Sequence, residues 1–497
     1  MKHCTCTYLL LSLFFIAVNV ITIDALPPWI DEVMFADTSY NAAVHGSWAT
    51  TAWYRVAGQY PFSTYPPLYQ MLLTVWIWLF GGSMVVVRSM NLLIMFMLGG
   101  VWLRLMRCSG LPLTCLTTAL FTVLLWGTGE MAWMYRNGRP DMLCALACTV
   151  TIYAIVVHLS AKSRLSGMAV MAASAIALCA GIQAAAYLFV LWLFAFIVLS
   201  GRRRMLFRLL GLILSGFCGG LLMVVAFMAA HGRLTAFASS IIQYSDTLAA
   251  IALAVLPWAG DVLGFSSEPY VQKLTVLTSG SGLGESLASI VANRSYVVLF
   301  IASVTAYAVC FRANLRGLLH DKGALMLLLA LSVPVCMSVA GRFAVYYHWM
   351  AYLPLLAAIM SIAVRHRSWC GIFGVLAILL TGCGIQSMQP DRQWHYADVR
   401  SFVQRHHFQP SDAVVCPFSL FYELKPLCDT CYFVGIFPAE FVGHVDYIIE
   451  ANTGDAYDLP ITDYVSKQRA DTSVVLTPVD SCQHPSLTLY QVKHCDE

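Results

Sequence analysis

The chain has 497 residues, of which 59% are hydrophobic and only 11% charged, and its mean hydropathy is +0.72. This composition excludes an ordinary soluble domain and indicates a polytopic α-helical membrane protein. The formal net charge at pH 7 is only +3, and we expect no nucleic-acid partner.

Eleven segments are apolar enough to be spanning helices, which need about 20 mostly apolar residues each. The first could instead be a cleaved signal peptide, although its apolar run is long and the cleavage site at Ile23-Asp24-Ala25 is weak. We therefore take it as a retained helix. The eleven candidates lie near 7–23, 84–106, 111–128, 141–158, 166–183, 186–200, 208–230, 294–311, 323–340, 345–364 and 369–385.

Basic residues fix the predicted orientation of these helices. The loops on one side carry fourteen Lys and Arg residues and a single acid, Asp321, so the positive-inside rule makes that side cytoplasmic. The N-terminus is then cytoplasmic and eleven crossings place the C-terminus outside. The fourteen bases are Lys2, Arg104, Arg107, Lys162, Arg164, Arg202, Arg203, Arg204, Arg208, Arg312, Arg316, Lys322, Arg365 and Arg367.

Two further apolar segments, 67–81 and 247–258, are predicted to lie in the membrane interface. A crossing at 67–81 would invert every later loop, and Trp76 and Trp78 suit the headgroup region. The transmembrane module is thus predicted to cover 1–385, with external loops at 24–83 and 231–293. A glycine cluster at 280–284 lacks the lysine of a phosphate-binding loop and indicates a flexible loop.

From 386 to 497 the composition changes to fifteen acidic and seven basic residues, with short β-rich runs and a helical pattern from Tyr396 to His407. This predicts a small external α/β domain. Its five cysteines are interpreted as structural; an oxidising compartment permits one or two disulfides among them, but the pairing cannot be deduced from the sequence. They are Cys416, Cys428, Cys431, Cys482 and Cys495.

The first candidate site motif is a carboxylate pair, Asp31-Glu32, eight residues after the first apolar segment. It opens a predicted helix, where its negative charge is favourable. Adjacent side chains on a helix diverge by about 100°, so only one is expected to reach a substrate. A helix-capping pair on a wet loop is the alternative.

Two more charged motifs lie at predicted outer ends of spans. Residues 135–143 contain Arg136, Arg139 and Asp141, and intramembrane or membrane-edge charges are costly enough to indicate function. The alternative is that an Arg-Asp pair only anchors a helix end. Residues 341–348 contain Arg342, whose guanidinium can bind phosphate through two donors.

Three short motifs of the chain are the pair Asp31-Glu32, Tyr-Pro-Pro-Leu-Tyr at 65–69 and Arg-Pro-Asp at 139–141. They occur in the order, and on the predicted side of the membrane, found in GT-C glycosyltransferases. Over residues 1 to about 360 the chain resembles the group of aminoarabinose transferases and protein O-mannosyltransferases. It lacks a large β-trefoil insertion and a Trp-Trp-Asp segment, so the acceptor stays open.

The resemblance implies transfer of a sugar from a polyprenyl-phosphate donor to a lipid, glycan or protein acceptor at the outer face of the membrane. It implies that Asp31 is the base, that Glu32 binds substrate or metal, and that Arg342 binds the donor phosphate. Asp141 is then a further acidic residue of the site. Other expected substrate contacts are Tyr69, Arg136, Arg139, Tyr346 and His348.

The need for a divalent metal ion is left open. No Asp-x-Asp motif occurs in the chain, which disfavours a nucleotide-sugar donor. The rival hypothesis is a transporter or lipid flippase of the cell envelope. Transporters place ionisable groups near the bilayer midplane, whereas these charges cluster at one membrane surface. We expect an integral protein of the bacterial inner (plasma) membrane.

Overall fold

A computed structural model describes residues 2–52, 65–198, 200–238, 292, 294–312, 321–339, 347–387, 396–433, 445–452, 474–483 and 486–494. Within these ranges the chain is mostly helical, and the strands all lie after residue 412. The helices are α1 Lys2–Ile21, α2 Ile30–His45, α3 Leu68–Phe80, α4 Met84–Cys108, α5 Cys115–Gly127, α6 Gly129–Tyr135, α7 Asp141–Ala161, α8 Arg164–Ala180, α9 Gln183–Val198, α10 Arg203–Ala230, α11 Arg294–Phe311, α12 Lys322–Val339, α13 Trp349–Arg365, α14 Arg367–Ser387, α15 Tyr396–Arg405 and α16 Phe421–Leu424.

Each of the eleven predicted spans coincides with one of these helices. Among the described residues, five helices are long and apolar enough to cross a membrane, and six if the bent pair α5 and α6 counts as one span. Shorter apolar helices account for the other segments. The number of crossings therefore stays a prediction. The segment predicted to lie in the interface at 67–81 forms the 13-residue helix α3, and the one at 247–258 lies outside the described residues.

A bend of 65° separates α5 from α6 and sets the direction of the loop that follows. The hydroxyl of Tyr135, the last residue of α6, donates to the carbonyl of Trp126 at 2.7 Å, and the two rings pack edge to face. This contact joins the end of α6 to α5 across the bend. Residues 136–140 are thereby directed toward the start of α4.

Helix α2 follows the first span and carries the carboxylate pair in its first turn. It ends at His45 because Gly46 adopts a left-handed conformation (φ 67°), in which its N–H donates to the carbonyl of Asn41. Most of its first eleven residues are buried. Helix α2 is therefore packed inside the molecule at one end of the helical bundle.

The C-terminal region forms a five-stranded mixed sheet of order β2-β1-β3-β5-β4. Strand β1 pairs in parallel with β2 and β3, whereas β5 pairs in antiparallel with β3 and β4. Helix α15 covers this sheet with Val399, Phe402 and Val403. The strands are β1 Ala413–Cys416, β2 Thr430–Phe433, β3 Tyr447–Asn452, β4 Val474–Gln483 and β5 Ser486–His494.

The connection between β1 and β2 contributes to two hydrophobic cores. Phe418, Phe421 and Tyr422 are buried in the large hydrophobic cluster of the membrane helices, whereas Leu420 and Leu424 are buried in the cluster of the sheet itself. We call residues 417–429 the docking segment. It brings part of the C-terminal region into contact with α2.

Candidate functional site

Glu32 forms a buried, two-pronged ion pair with Arg88 of α4. Arg88 Nε donates to Oε1 at 2.9 Å and Nη2 donates to Oε2 at 3.0 Å, and neither side chain is more than 1% exposed. The remaining N–H groups of Arg88 donate to the carbonyls of Ile23, of Leu26 at 3.1 Å and of Pro27 at 3.1 Å. All five guanidinium donors are thus used, and Arg88 ties the end of α1 to the start of α2.

Arg139 joins the other two predicted acidic site residues. Its Nη1 contacts Oδ2 of Asp31, and its Nε donates to Oδ2 of Asp141 at 2.8 Å. The guanidinium carbon lies 5.1 Å from the centroid of the Trp29 ring, within the range of a cation–π contact. Asp141 also accepts from Gln183 Nε2 at 3.5 Å. The second charged motif therefore contacts the first directly.

The three carboxylates differ in their access to solvent. The side chain of Asp31 is 30% exposed, whereas Glu32 is fully buried and Asp141 nearly so. This is the divergence expected of neighbouring positions on a helix. Only Asp31 has an accessible carboxylate that a substrate hydroxyl could approach without a rearrangement.

Two small features allow the loop 136–140 to lie so close to α2. A Cβ on Gly138 would lie 2.9 Å from Cγ of Glu32 and 2.7 Å from Cγ1 of Val87, so glycine is needed there for close approach. Asn91 of α4 donates to the carbonyl of Arg139 at 2.9 Å and also to that of Asn137. These contacts fix the backbone that carries Arg139.

Asp37, two turns into α2, binds the chain that follows the helix. Its carboxylate accepts from Thr50 Oγ1 at 2.6 Å and from the backbone N–H groups of Thr51 at 2.7 Å and Ala52 at 2.9 Å. Nζ of Lys425 lies 3.4 Å from Oδ1 of Asp37, and both side chains are at most 1% exposed. A second buried ion pair therefore joins α2 to the docking segment.

Tyr422 completes the surroundings of Glu32. Its hydroxyl donates to Oε1 of Glu32 at 3.1 Å, across 390 positions of sequence. Burial, and after it the charge of Glu32, raises the pKa of Tyr422 well above its usual value, so the hydroxyl stays protonated and can donate. Asp37, Arg88, Tyr422 and Lys425 were not among the site residues predicted from the sequence.

The remaining predicted substrate contacts are less clustered. Tyr69 is fully buried and packs edge to face on Phe35, with ring centroids 6.0 Å apart. Arg136 is also buried and donates to the carbonyl of Thr22. Burial lowers the pKa of Arg136 to about 10, so it keeps its charge at neutral pH. His348 is buried just before α13. Their roles in binding stay predictions.

Two predicted residues lie outside the described part of the chain: Arg342, which the resemblance implies to bind the donor phosphate, and Tyr346, an expected substrate contact.

The acidic residues around Arg139 are not arranged as a set of metal ligands. No group of three or more His, Cys, Asp or Glu side chains suited to a metal ion occurs within the described part of the chain. Asp31 and Asp141 both contact Arg139, so a guanidinium occupies the place between the carboxylates that a bridging cation would need. This arrangement does not fit a bridging metal ion.

Comparisons with known proteins identify the fold. No protein-family model and no curated protein sequence matches the chain. The oligosaccharyltransferase of Archaeoglobus fulgidus in the apo form superposes with a TM-score of 0.52 at 12% identity, over 89% of this chain and 69% of that one. ArnT from Cupriavidus metallidurans superposes with a TM-score of 0.44 in the apo state and 0.45 bound to undecaprenyl phosphate, each at 14% identity. These two alignments cover 96% and 97% of this chain and 97% of ArnT.

Proposed function

We propose that this chain, which has the fold of the GT-C glycosyltransferases, is a membrane glycosyltransferase that uses a polyprenyl-phosphate-linked sugar. The observation that carries the proposal is the state of Asp31. It is the one accessible carboxylate of the set, it lies in the first turn of α2, and buried Arg139 holds one of its oxygens.

The proposed reaction needs a base for the acceptor and cations for the leaving phosphate. Asp31 accepts the proton of an acceptor hydroxyl as the oxygen of that hydroxyl bonds to C1 of the sugar. The bond from C1 to the phosphate oxygen breaks, and polyprenyl phosphate leaves with the electron pair. The leaving group is already a stable anion, so no general acid is required at this step.

Arg139 and Glu32 have supporting roles in this proposal. Arg139 contacts Asp31 and Asp141 together, which holds the base in one orientation, as a near-attack geometry requires. Glu32 is occupied by Arg88 and Tyr422. We therefore propose that Glu32 fixes the helix start, in place of the direct substrate or metal contact that the sequence resemblance implies.

The donor phosphate is proposed to bind cations near the same end of the bundle. Arg342 remains our first candidate, with Tyr346 and His348 beside it in sequence. Arg136 is a second candidate because its Nε and Nη1 have no hydrogen-bond partner among the described residues. An arginine suits this task because two of its donors can bind phosphate together.

The proposed location is the outer face of a bacterial inner membrane, with the N-terminus cytoplasmic. The contacts of Asp31 with Arg139 and of Glu32 with Tyr422 support one part of this topology, because they bring three predicted external segments to the same end of the bundle. Single-cysteine labelling in intact cells should modify the exposed positions 47 and 429 from outside, and the exposed position 203 only after permeabilisation. Labelling of positions 47 and 203 from the same side would contradict the topology.

The test of the function is transfer by purified protein in nanodiscs given a synthetic polyprenyl-phosphate sugar, with release of polyprenyl phosphate as the signal. We expect Asp31→Asn to lower turnover by about 100-fold or more without a loss of expression. Asp398→Asn, a change at an exposed aspartate of α15, is the control and should be neutral. Turnover by Asp31→Asn within a few-fold of wild type would remove Asp31 from the role of base.

A further inference from the structure

The docking segment contacts helix α2 at two points. Tyr422 donates to Glu32 in the first turn of α2, and Lys425 pairs with Asp37 farther along. Tyr422 and Lys425 are three positions apart, and Glu32 and Asp37 are five apart, so two short stretches of chain face each other. Two points in the buried part of α2 are thus held by the C-terminal region.

The surroundings of Lys425 show that this contact is built into the fold. Its Nζ also donates to Thr51 Oγ1 at 2.8 Å and to the carbonyl of Asp429 at 2.7 Å. The ammonium group lies 5.9 Å from the centroid of the Tyr40 ring. A buried lysine with a carboxylate and two oxygen acceptors has its charge compensated, and it joins α2, the chain after α2 and the docking segment.

Apolar packing supports the same interface. Phe418, Phe421 and Tyr422 are at most 7% exposed and belong to the core of the membrane helices. The docking segment is therefore inserted into the bundle end, whereas a loosely tethered domain would leave these side chains in water. Movement of this segment would withdraw the hydroxyl of Tyr422 from Glu32.

We propose that Tyr422 and Lys425 are positioning residues of the glycosyltransferase site, through which the C-terminal region fixes α2 and so the direction of Asp31. The inference rests on the proposed function. Tyr422 acts on the base through Glu32, the residue next to Asp31, and Lys425 acts through Asp37. Neither residue touches the reacting atoms.

The inference requires that α2 loosens when either contact is removed. Tyr422→Phe deletes only the hydroxyl that donates to Glu32, and Lys425→Met deletes the charge while keeping most of the side-chain length. The matched control is Tyr490→Phe, because the Tyr490 hydroxyl donates to Oε2 of Glu450 at 3.0 Å within the C-terminal sheet. Both tyrosine changes remove one hydrogen bond to a glutamate, but only one of these glutamates lies on α2.

Hydrogen–deuterium exchange of peptides from 30–45 and steady-state transfer should be measured on the full chain in nanodiscs. We expect faster exchange in 30–45 for Tyr422→Phe and Lys425→Met, with kcat lower by about tenfold and donor affinity within twofold of wild type. Tyr490→Phe should match wild type in all three measurements. A loss of donor affinity equal to the loss of kcat would indicate general damage and overturn the inference.

Exchange in α2 can be measured without any transfer assay, so the two proposals fail separately. Unchanged exchange in 30–45 for both variants overturns the inference, even if Asp31→Asn abolishes transfer. An Asp31→Asn protein with full activity overturns the proposed function, and with it the catalytic part of the inference. Faster exchange in Tyr490→Phe as well would show that the effect is not specific to the docking segment, and would also overturn it.

Discussion

Replacement of Arg88 by methionine should be among the most destabilising single changes at this end of the molecule. The change leaves the carboxylate of Glu32, which has no exposed surface, without its counter-ion. It also removes the donor from the carbonyls of Ile23, Leu26 and Pro27. Tyr422 still donates to Glu32, but one neutral hydrogen bond does not compensate a buried charge.

The magnitude follows from the burial of the pair. Removal of one partner from a buried ion pair costs about 3–5 kcal/mol, and we expect Arg88→Met to lose that much free energy of unfolding. Arg88→Lys should be intermediate, because it keeps the charge but supplies three donors from a single nitrogen where arginine supplies five from a planar group. Replacing both partners, as Arg88→Met with Glu32→Leu, should recover part of the loss, because no buried charge then remains unpaired.

The assay is equilibrium unfolding in mixed micelles, followed by the fluorescence of the native tryptophans. Arg104→Met is the control within the same helix, because Arg104 is exposed and its one hydrogen bond among the described residues is to the hydroxyl of Tyr153 at 3.0 Å. It should leave stability almost unchanged. A loss of less than about 1 kcal/mol for Arg88→Met, which is the size expected of an exposed pair, would refute the account of Arg88 and Glu32.

Three further outcomes are expected. Gly138→Ala places a Cβ 2.9 Å from Cγ of Glu32, so it should lower the free energy of unfolding by about 1–3 kcal/mol. The control is Gly219→Ala in α10, which should not lower stability because the space around Gly219 is open. Lys425→Met should lower stability by about 3–5 kcal/mol, because it leaves the carboxylate of Asp37 buried without a cation. The double variant Asp37→Asn with Lys425→Met should lose less free energy of unfolding than the sum of the losses of the two single variants. If denaturant unfolding gave a double-variant loss equal to that sum, the ion pair would be contradicted.

The local features of the chain were predictable because they depend on short stretches of sequence. Each of the eleven predicted spans coincides with a helix, since an apolar run that long has few other stable conformations in a membrane. The GT-C fold implied by three short motifs is confirmed by the structural comparison. The short β-rich runs predicted after residue 386 also agree with the structure, because the strands of the described residues all lie after residue 412.

The grouping of Asp31, Arg139 and Asp141 was only partly predictable. The charges of the loops predicted that these residues share one side of the membrane, but they do not give the distances between the side chains. The structure adds that Arg139 contacts both carboxylates and that Glu32 is turned away toward Arg88. The pair Asp31-Glu32 looks equivalent in sequence. Its two members differ only because one face of α2 is packed and the other is partly open.

The sequence alone therefore determined the membrane class, the helices, the candidate base and the segments that carry the other site residues. Only the tertiary structure decided which of the carboxylates is accessible and which residues hold it. Tyr422 and Lys425 lie about 390 positions from α2 in an acidic, polar region, and no local pattern marks them. Their contacts arise from the packing of the docking segment into the bundle end, and such packing depends on the shapes of distant surfaces, which neither hydropathy nor charge counts record.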